Sequence, residues 1–215
     1  MKSFGLVIFD LDGTIVDSGQ TVLRLLNAIR RHLNMPVMEF SEISQSLSLG
    51  GRKLIETALG PAVNSQEYLE HFRALYLDDS LVGEQLYPGF LEYLHALKKK
   101  NIKTAICSNK PSQLVEKVLT HHKIGQFFEF TLADNGLLTK KPSPEGLLRI
   151  LNWAQMDPKQ AILVGDSRID QLAAGSAGIQ FAFHQGGYDD GVWMDNANIC
   201  FNNYYDLIGQ FNECN

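Results

Sequence analysis

The chain has 215 residues, of which 45% are hydrophobic and 20% are charged, and this suits one large α/β domain or a core domain with a smaller insert. A net charge of −5 without a long basic run argues against nucleic-acid binding, and no stretch approaches the roughly 18 apolar residues of a membrane span. Three widely spaced cysteines indicate neither a disulfide framework nor a zinc site. We therefore expect a soluble, cytoplasmic protein.

The first predicted element is a buried strand that ends in two carboxylates. Apolar residues lead directly into the segment Asp10-Leu11-Asp12-Gly13-Thr14. In an extended backbone, side chains two residues apart lie on one face, so Asp10 and Asp12 project together. Two like charges at the end of an apolar strand are unfavourable unless a bound cation compensates them. The alternative is that Asp12-Gly13 is simply a turn that closes the strand.

The next part of the chain has a purely helical pattern. Apolar spacing predicts helices over Val16–Leu33, Glu42–Leu49, Leu54–Leu59 and Gln66–Leu77. Nothing between Val16 and Gly83 resembles a core strand. We therefore expect an all-helical block inserted after the first strand.

From residue 85 onward, strands and helices alternate. The predicted helices are Phe90–Lys99, Ser112–His121, Glu145–Trp153, Asp170–Ala177 and Tyr204–Phe211, and the strands between them are Lys103–Cys107, Phe128–Leu132, Ala161–Val164 and Gln180–Phe183. Pro144 is expected at the first helical position of its helix, and Gly178 just past the end of another. Such alternation predicts an α/β fold with a doubly wound parallel sheet, a Rossmann-like core. In these sheets ligands bind beyond the carboxyl ends of the strands.

Polar residues from three predicted strands meet at that edge of the sheet. They are Asp10, Asp12, Ser108, Asn109, Asp166 and Asp170. Carboxylates without a nearby histidine or cysteine make an oxygen-only site, which suits Mg²⁺ better than zinc. Taken singly, Gly165-Asp166 could be a turn and Asp170 a helix N-cap.

Two further segments could bind an anion at the same edge. Ser108-Asn109 could bind a phosphate together with the N-terminus of the following helix, or form a plain polar turn. Lys141 could neutralise a phosphate or be an ordinary solvated lysine, and the adjacent Lys140 leaves that choice open.

Four segments in chain order resemble the motifs of the haloacid dehalogenase superfamily. They are Asp10-Leu11-Asp12-Gly13-Thr14, Ser108-Asn109, Lys141-Pro142, and Gly165-Asp166-Ser167 with Asp170. Within the superfamily, four further segments look like the phosphoglycolate phosphatase branch with a small helical cap. These are Asp17-Ser18, Tyr87-Pro88-Gly89, Ser108-Asn109-Lys110-Pro111 and Lys141-Pro142-Ser143-Pro144. The resemblance implies a helical cap domain over residues 16–84 and a catalytic core formed by residues 1–15 and 85–215.

The resemblance also implies a function, a phosphatase that hydrolyses a small phosphorylated metabolite with Mg²⁺. Asp10 would be the nucleophile that forms an aspartyl-phosphate, and Asp12 would protonate the leaving alcohol and then activate water. Asp10, the backbone carbonyl of Asp12, and Asp166 would hold Mg²⁺, with Asp170 as a supporting carboxylate.

The remaining predicted roles concern the phosphoryl group and the substrate. Ser108 and Lys141 are assigned to catalysis, and Thr14 and Asn109 to substrate binding. Arg52, in the turn that begins a cap helix, either contacts an anionic part of the substrate or is a solvated helix-start arginine.

Two alternative functions remain open. A phosphomutase resembling β-phosphoglucomutase would share the fold, although Thr14 after the glycine favours a phosphatase. A non-catalytic binding module is the second, and the intact acidic residues with Lys141 argue against it. A haloacid dehalogenase is disfavoured because Asp12 is present, and the oligomeric state, monomer or dimer, stays open.

Overall fold

The computed structural model describes residues 4–134 and 139–212, with side chains up to residue 209. Its strands are β1 Leu6–Phe9, β2 Val16–Asp17, β3 Gln85–Leu86, β4 Lys103–Pro111, β5 Phe130–Asp134, β6 Ala161–Gly165, β7 Gln180–His184 and β8 Ile199–Phe201. Its helices are α1 Gly19–His32, α2 Phe40–Ile43, α3 Gly51–Leu59, α4 Ser65–Asp78, α5 Phe90–Lys99, α6 Ser112–His121, α7 Glu145–Ala154, α8 Arg168–Ala177 and α9 Tyr204–Asn212. Among the helices of those two ranges, none combines the length and apolar character that a membrane span requires.

Six strands form one parallel sheet in the order β5-β4-β1-β6-β7-β8. Strand β1 lies at the centre, where Phe9 is opposite Ile106 of β4 on one side and Val164 of β6 on the other. The chain leaves β1 towards β4 and β5 on one side and later returns to add β6, β7 and β8 on the other. The strand order therefore reverses beside β1, as it does in doubly wound nucleotide-binding folds. The predicted α/β Rossmann-like fold is confirmed.

The alternation of side chains along β1 divides the core into two layers. Leu6 and Ile8 pack with α7 and α8 on one face of the sheet, whereas Val7 and Phe9 pack with α5, α6 and α9 on the other. All four β1 residues are fully buried because helices cover both faces. The central strand is therefore rigidly held, and this fixes the position of Asp10, the residue that follows its carboxyl end.

Helices α1 to α4 follow β1 without contributing a strand to the sheet, and we call them the cap helices. The chain enters and leaves them through β2 and β3, which pair antiparallel as a short ribbon. Because this ribbon is where the chain crosses between the two parts, we propose residues 16–84 as a cap domain and residues 1–15 and 85–215 as the core. Apolar residues of the cap pack against the same buried cluster as Phe9 of the core.

Several local predictions differ from the structure. Val16 lies in β2, and α1 begins only at Gly19, because the ribbon takes the first residues of the apolar pattern. The predicted helix Glu42–Leu49 is instead α2 followed by a 3₁₀ turn over Ser44–Ser46. Strand β8 was not predicted, since its three residues are too few to show a period.

Two predictions about helix ends have different outcomes. Pro144 caps α7 from the position before its first helical residue, one place earlier than expected. Gly178 ends α8 with a φ of 71°, the left-handed conformation that glycine accommodates without a Cβ clash, as predicted.

Candidate active site

Three carboxylates meet at the carboxyl end of the sheet. Asp10 follows β1, Asp166 follows β6, and Asp170 lies in the first turn of α8. Each offers an oxygen within 4.8 Å of the others, and we call these three residues the acidic group. Asp166 and Asp170 are buried and Asp10 is nearly so, as the prediction from strand ends requires.

Asp170 reaches this position through the start of its helix. Ser167, not Asp170, is the N-cap of α8, and Asp170 is the third helical residue of a capping box. The Ser167 hydroxyl donates to Oδ2 of Asp170 over 2.6 Å. The capping interaction therefore holds Asp170 in one orientation and directs its other oxygen, Oδ1, towards Lys141.

Asp166 is held by two donors from distant parts of the chain. The Thr14 hydroxyl donates to its Oδ1 over 2.9 Å, and the Tyr188 backbone N–H donates to its Oδ2 over 2.7 Å. Gly13 has a φ of 77°, and a Cβ there would lie 2.0 Å from Asp166 Oδ2. Only glycine therefore lets the turn after Asp12 approach this carboxylate so closely.

Lys141 is the cation of the acidic group. Its Nζ lies 2.9 Å from Asp10 Oδ1 and 2.5 Å from Asp170 Oδ1, and its side chain is 4% exposed. The Asn109 side chain donates to the Lys141 carbonyl over 3.0 Å and accepts from its backbone N–H over 2.8 Å. Asn109 thus fixes the backbone that carries Lys141.

The pKa values of these groups reflect crowding of negative charge. Burial raises the pKa of Asp10 to about 6, with Asp170 adding to the rise and Lys141 opposing it. Burial, then Asp170 and Asp10, raise the pKa of Asp166 well above its usual value. Although burial alone would lower it, Asp10 and Asp170 raise the pKa of Lys141, which stays an ammonium.

The acidic group fits a divalent cation on its own chemistry. Asp10 Oδ1 is buried and, apart from the ion pair with Lys141, has no well-directed hydrogen bond. Three carboxylates with one lysine leave negative charge uncompensated, and an oxygen-only donor set is the one that Mg²⁺ prefers. The Asp12 carboxylate lies outside this group, so only its backbone carbonyl remains as the predicted metal ligand.

Asp12 has a separate environment. The Ser18 hydroxyl donates to its Oδ1 over 2.6 Å. Lys110 Nζ donates to Oδ1 over 2.8 Å and to Oδ2 over 3.1 Å. Lys110 was not among the predicted site residues, although it lies in the segment Ser108-Asn109-Lys110-Pro111 that resembles the phosphoglycolate phosphatase branch.

A cavity of about 110 Å³ lies between these residues and the cap helices. The predicted residues that line it are Asp10, Asp12, Ser108, Asn109, Lys141, Asp166 and Asp170. The cap contributes an apolar wall that includes Leu54, Leu69 and Phe72, and one cation, Arg73 of α4. Arg73 carries no signal in the sequence that distinguishes it from other helix-surface arginines.

Two predicted substrate-binding residues do not line the cavity. Thr14 is fully buried, and its hydroxyl is directed at Asp166. Arg52 is exposed, because α3 buries Leu54 and Ile55 on the opposite side. The structure therefore makes Thr14 a support for Asp166 and leaves Arg52 at the surface.

The end of β7 and the loop after it support the segment that follows β1. His184 is buried, which lowers the pKa of its imidazole, and its neutral ring donates from Nδ1 to the Gly13 carbonyl over 2.8 Å. The Tyr188 hydroxyl donates to Asp17 Oδ1 over 2.7 Å and accepts from the backbone N–H of Gly19. Sequence reasoning did not find these contacts, since each joins residues about 170 positions apart.

Comparison with known proteins agrees with this arrangement. Residues 7–184 match the family model for haloacid dehalogenase-like hydrolases. The chain is 31% identical over 212 residues to phosphoglycolate phosphatase 1 of Pseudomonas aeruginosa, covering 94% of this chain and 78% of that protein. It is 32% identical over 182 residues to the phosphoglycolate phosphatase of Aquifex aeolicus, covering 85% of each.

A solved structure supports the same relationship. The crystal structure of a predicted phosphoglycolate phosphatase from Haemophilus somnus superposes with a TM-score of 0.87 at 26% identity, covering 98% of this chain and 99% of the other. The resemblance that the four motifs indicated is confirmed. The chain belongs to the haloacid dehalogenase-like hydrolases, and within them it is similar to the phosphoglycolate phosphatases.

Proposed function

We propose that the protein is a Mg²⁺-dependent phosphatase that hydrolyses phosphoglycolate or a similar small anionic phosphate ester through an aspartyl-phosphate on Asp10. The observation that carries this proposal is the Asp10 carboxylate at the cavity, 2.9 Å from the buried ammonium of Lys141 and grouped with Asp166 and Asp170. The similarity to phosphoglycolate phosphatases along most of the chain supports it.

Asp10 would attack phosphorus in line with the leaving oxygen. A carboxylate and a phosphate repel each other, so the attack requires positive charge at the transferring group. Lys141 Nζ is fixed by Asp10 and Asp170 and can contact a phosphoryl oxygen without first losing a water shell. The carboxylates of Asp10 and Asp166 with the Asp12 carbonyl would hold Mg²⁺, which supplies further charge neutralisation when bound.

Ser108 and Asn109 would act on the same phosphoryl group in different ways. The Ser108 oxygen accepts from the Lys110 backbone N–H over 3.2 Å, which leaves its own hydroxyl proton free to donate to a phosphoryl oxygen. The Asn109 side chain both donates a hydrogen bond to the Lys141 backbone and accepts one from it. Asn109 would therefore position Lys141 more than it binds substrate directly.

Asp12 would carry the proton. It would give a proton to the leaving oxygen and then take one from the water that hydrolyses the aspartyl-phosphate. The Ser18 hydroxyl holds its carboxylate at the cavity, 28% exposed, where it can meet an ester oxygen.

The cavity limits the substrate to a small molecule. Its volume of about 110 Å³ leaves room for a phosphoryl group and a few further atoms, with Arg73 and Lys110 facing them. Both cations favour a substrate with a second negative charge. A cytoplasmic location is part of the proposal, and the exposed free thiol of Cys200 suits a reducing compartment.

A panel of phosphate esters, assayed with Mg²⁺ and with a chelator, tests this function. We expect metal-dependent release of phosphate, fastest for phosphoglycolate, and its loss in Asp10→Asn. Asp157→Asn, the same change at an exposed position before β6, is the matched control and should keep full activity. Activity that survives Asp10→Asn or the chelator would contradict the proposal, and transfer of phosphate to a sugar hydroxyl instead of water would favour a phosphomutase.

A further inference from the structure

Lys110 is a buried cation that takes no part in the proposed transfer of the phosphoryl group. Its side chain is 8% exposed, and its Nζ lies 2.8 Å from Oδ1 and 3.1 Å from Oδ2 of Asp12. A buried ammonium is strongly unfavourable unless a negative group pairs with it. Asp12 is therefore the counter-ion of Lys110.

The cap also contacts the ammonium of Lys110, through Tyr76 of α4. The Tyr76 hydroxyl lies 3.1 Å from Lys110 Nζ, and the Tyr76 ring centroid lies 4.2 Å from it. Tyr76 is fully buried and donates to Glu84 Oε2 over 2.8 Å, so the phenol oxygen has a lone pair left to accept from Lys110. Burial also raises the pKa of Tyr76, which keeps the phenol protonated.

This geometry places Lys110 beside the position of a substrate's leaving oxygen. A general acid must come within about 2.6–3.2 Å of the oxygen that it protonates. Lys110 is one hydrogen bond away from that acid, so a group on the carbon attached to the leaving oxygen comes within its reach. Arg73 lines the same cavity and forms no ion pair with any residue in the described ranges, which adds a second cation for an anionic group.

We propose that Lys110 selects esters with a carboxylate on the carbon attached to the leaving oxygen, by exchanging its pair with Asp12 for a pair with that carboxylate. This inference rests on the proposed phosphatase function. The exchange keeps the buried ammonium paired and releases the Asp12 side chain from Lys110. An ester without this carboxylate cannot replace Asp12 as the partner of Lys110, and Asp12 then stays paired with Lys110.

The test compares phosphoglycolate with phosphoglycolamide, in which a carboxamide replaces the carboxylate, in wild-type and Lys110→Met protein. We expect Lys110→Met to lower kcat/KM for phosphoglycolate by about 10- to 150-fold, the range for one hydrogen bond between charged groups. We expect no loss with phosphoglycolamide, because Lys110→Met also removes the group that holds Asp12, so the preference of the wild type for the carboxylate should disappear.

Lys117→Met is the matched control. Lys117 of α6 also joins the core to the cap, through the backbone carbonyls of Leu77 and Asp79, but it does not line the cavity. Its replacement should leave the preference between the two esters unchanged. If Lys110→Met does not fold, Lys110→Gln repeats the comparison with a neutral side chain that can still hydrogen-bond to Tyr76.

Several outcomes would overturn the inference. They are an equal loss on both esters, no loss on phosphoglycolate, a wild type without preference for the carboxylate, or the same selective loss in Lys117→Met. Calorimetric binding of phosphoglycolate to Asp10→Asn protein, with and without Lys110→Met, gives the same comparison without turnover. Wild-type protein that hydrolyses neither ester would contradict the phosphatase function, whereas the binding comparison would still decide the role of Lys110.

Discussion

Replacing Lys141 by methionine removes the only cation in direct contact with Asp10 and Asp170 among the described residues. Removing one partner of a buried ion pair costs about 3–5 kcal/mol, because the remaining charge is left uncompensated. Proton uptake limits this loss, since the pKa of Asp10 is already about 6 and would rise further. We therefore expect a loss of about 3 kcal/mol in the free energy of unfolding at pH 8.

The loss should depend on pH in a direction that the structure defines. Because the folded pKa of Asp10 is raised from 3.8 to about 6, the metal-free wild type loses stability as pH rises from about 4 to 6, by up to about 3 kcal/mol. At pH 5 Asp10 already holds a proton in most molecules, so less negative charge depends on Lys141. The effect of Lys141→Met should then be smaller at pH 5 than at pH 8.

Urea unfolding in the presence of a chelator at both pH values measures this difference. Lys140→Met is the matched control, because the Lys140 side chain is 48% exposed and water screens its pair with Asp134, so its loss should cost about 1 kcal/mol or less. Phosphatase activity of Lys141→Met should fall by about 100- to 1000-fold, as when one donor to transition-state charge is removed. A Lys141→Met protein as stable as the control, or one equally destabilised at both pH values, would refute the electrostatic reasoning.

Three other predictions concern the metal and the substrate. Mg²⁺ should raise the midpoint of thermal unfolding more at pH 8 than at pH 5, because binding requires ionised carboxylates, and equal shifts would contradict this. Thr14→Val should raise the Mg²⁺ concentration for half-maximal activity by about 10- to 100-fold, since it removes a donor to Asp166. The buried Thr21 of α1 lies outside the cavity, so Thr21→Val should leave that requirement unchanged. Arg73→Met should raise KM for phosphoglycolate by about tenfold or more and Arg52→Met should not, and steady-state kinetics that show the reverse would reinstate Arg52 as the substrate contact.

Much of the fold follows from local patterns in the sequence. Strand β1 is apolar on both faces, and the helices after residue 85 carry one apolar stripe each, so the alternation of elements is visible without tertiary information. The short elements are different. Strands β2, β3 and β8 have two or three residues each, and pairing partners far along the chain determine them more than their own composition does.

The sequence by itself determined which chemistry can occur at the site, because carboxylates, a serine and a lysine at the carboxyl ends of parallel strands must meet at one edge of the sheet. Only the tertiary structure decided which contacts, and therefore which role, each of these residues has. Thr14 bonds to Asp166 across 152 positions, and Lys110 bonds to Asp12 across 98. Such pairs depend on how loops of the core approach each other, and the position of Arg73 at the cavity depends on how the cap helices pack on the core. A periodic pattern within one element carries no information about either. For that reason Asp10, Asp12 and Asp166 were predictable, whereas Arg73, Lys110 and Tyr188 were not.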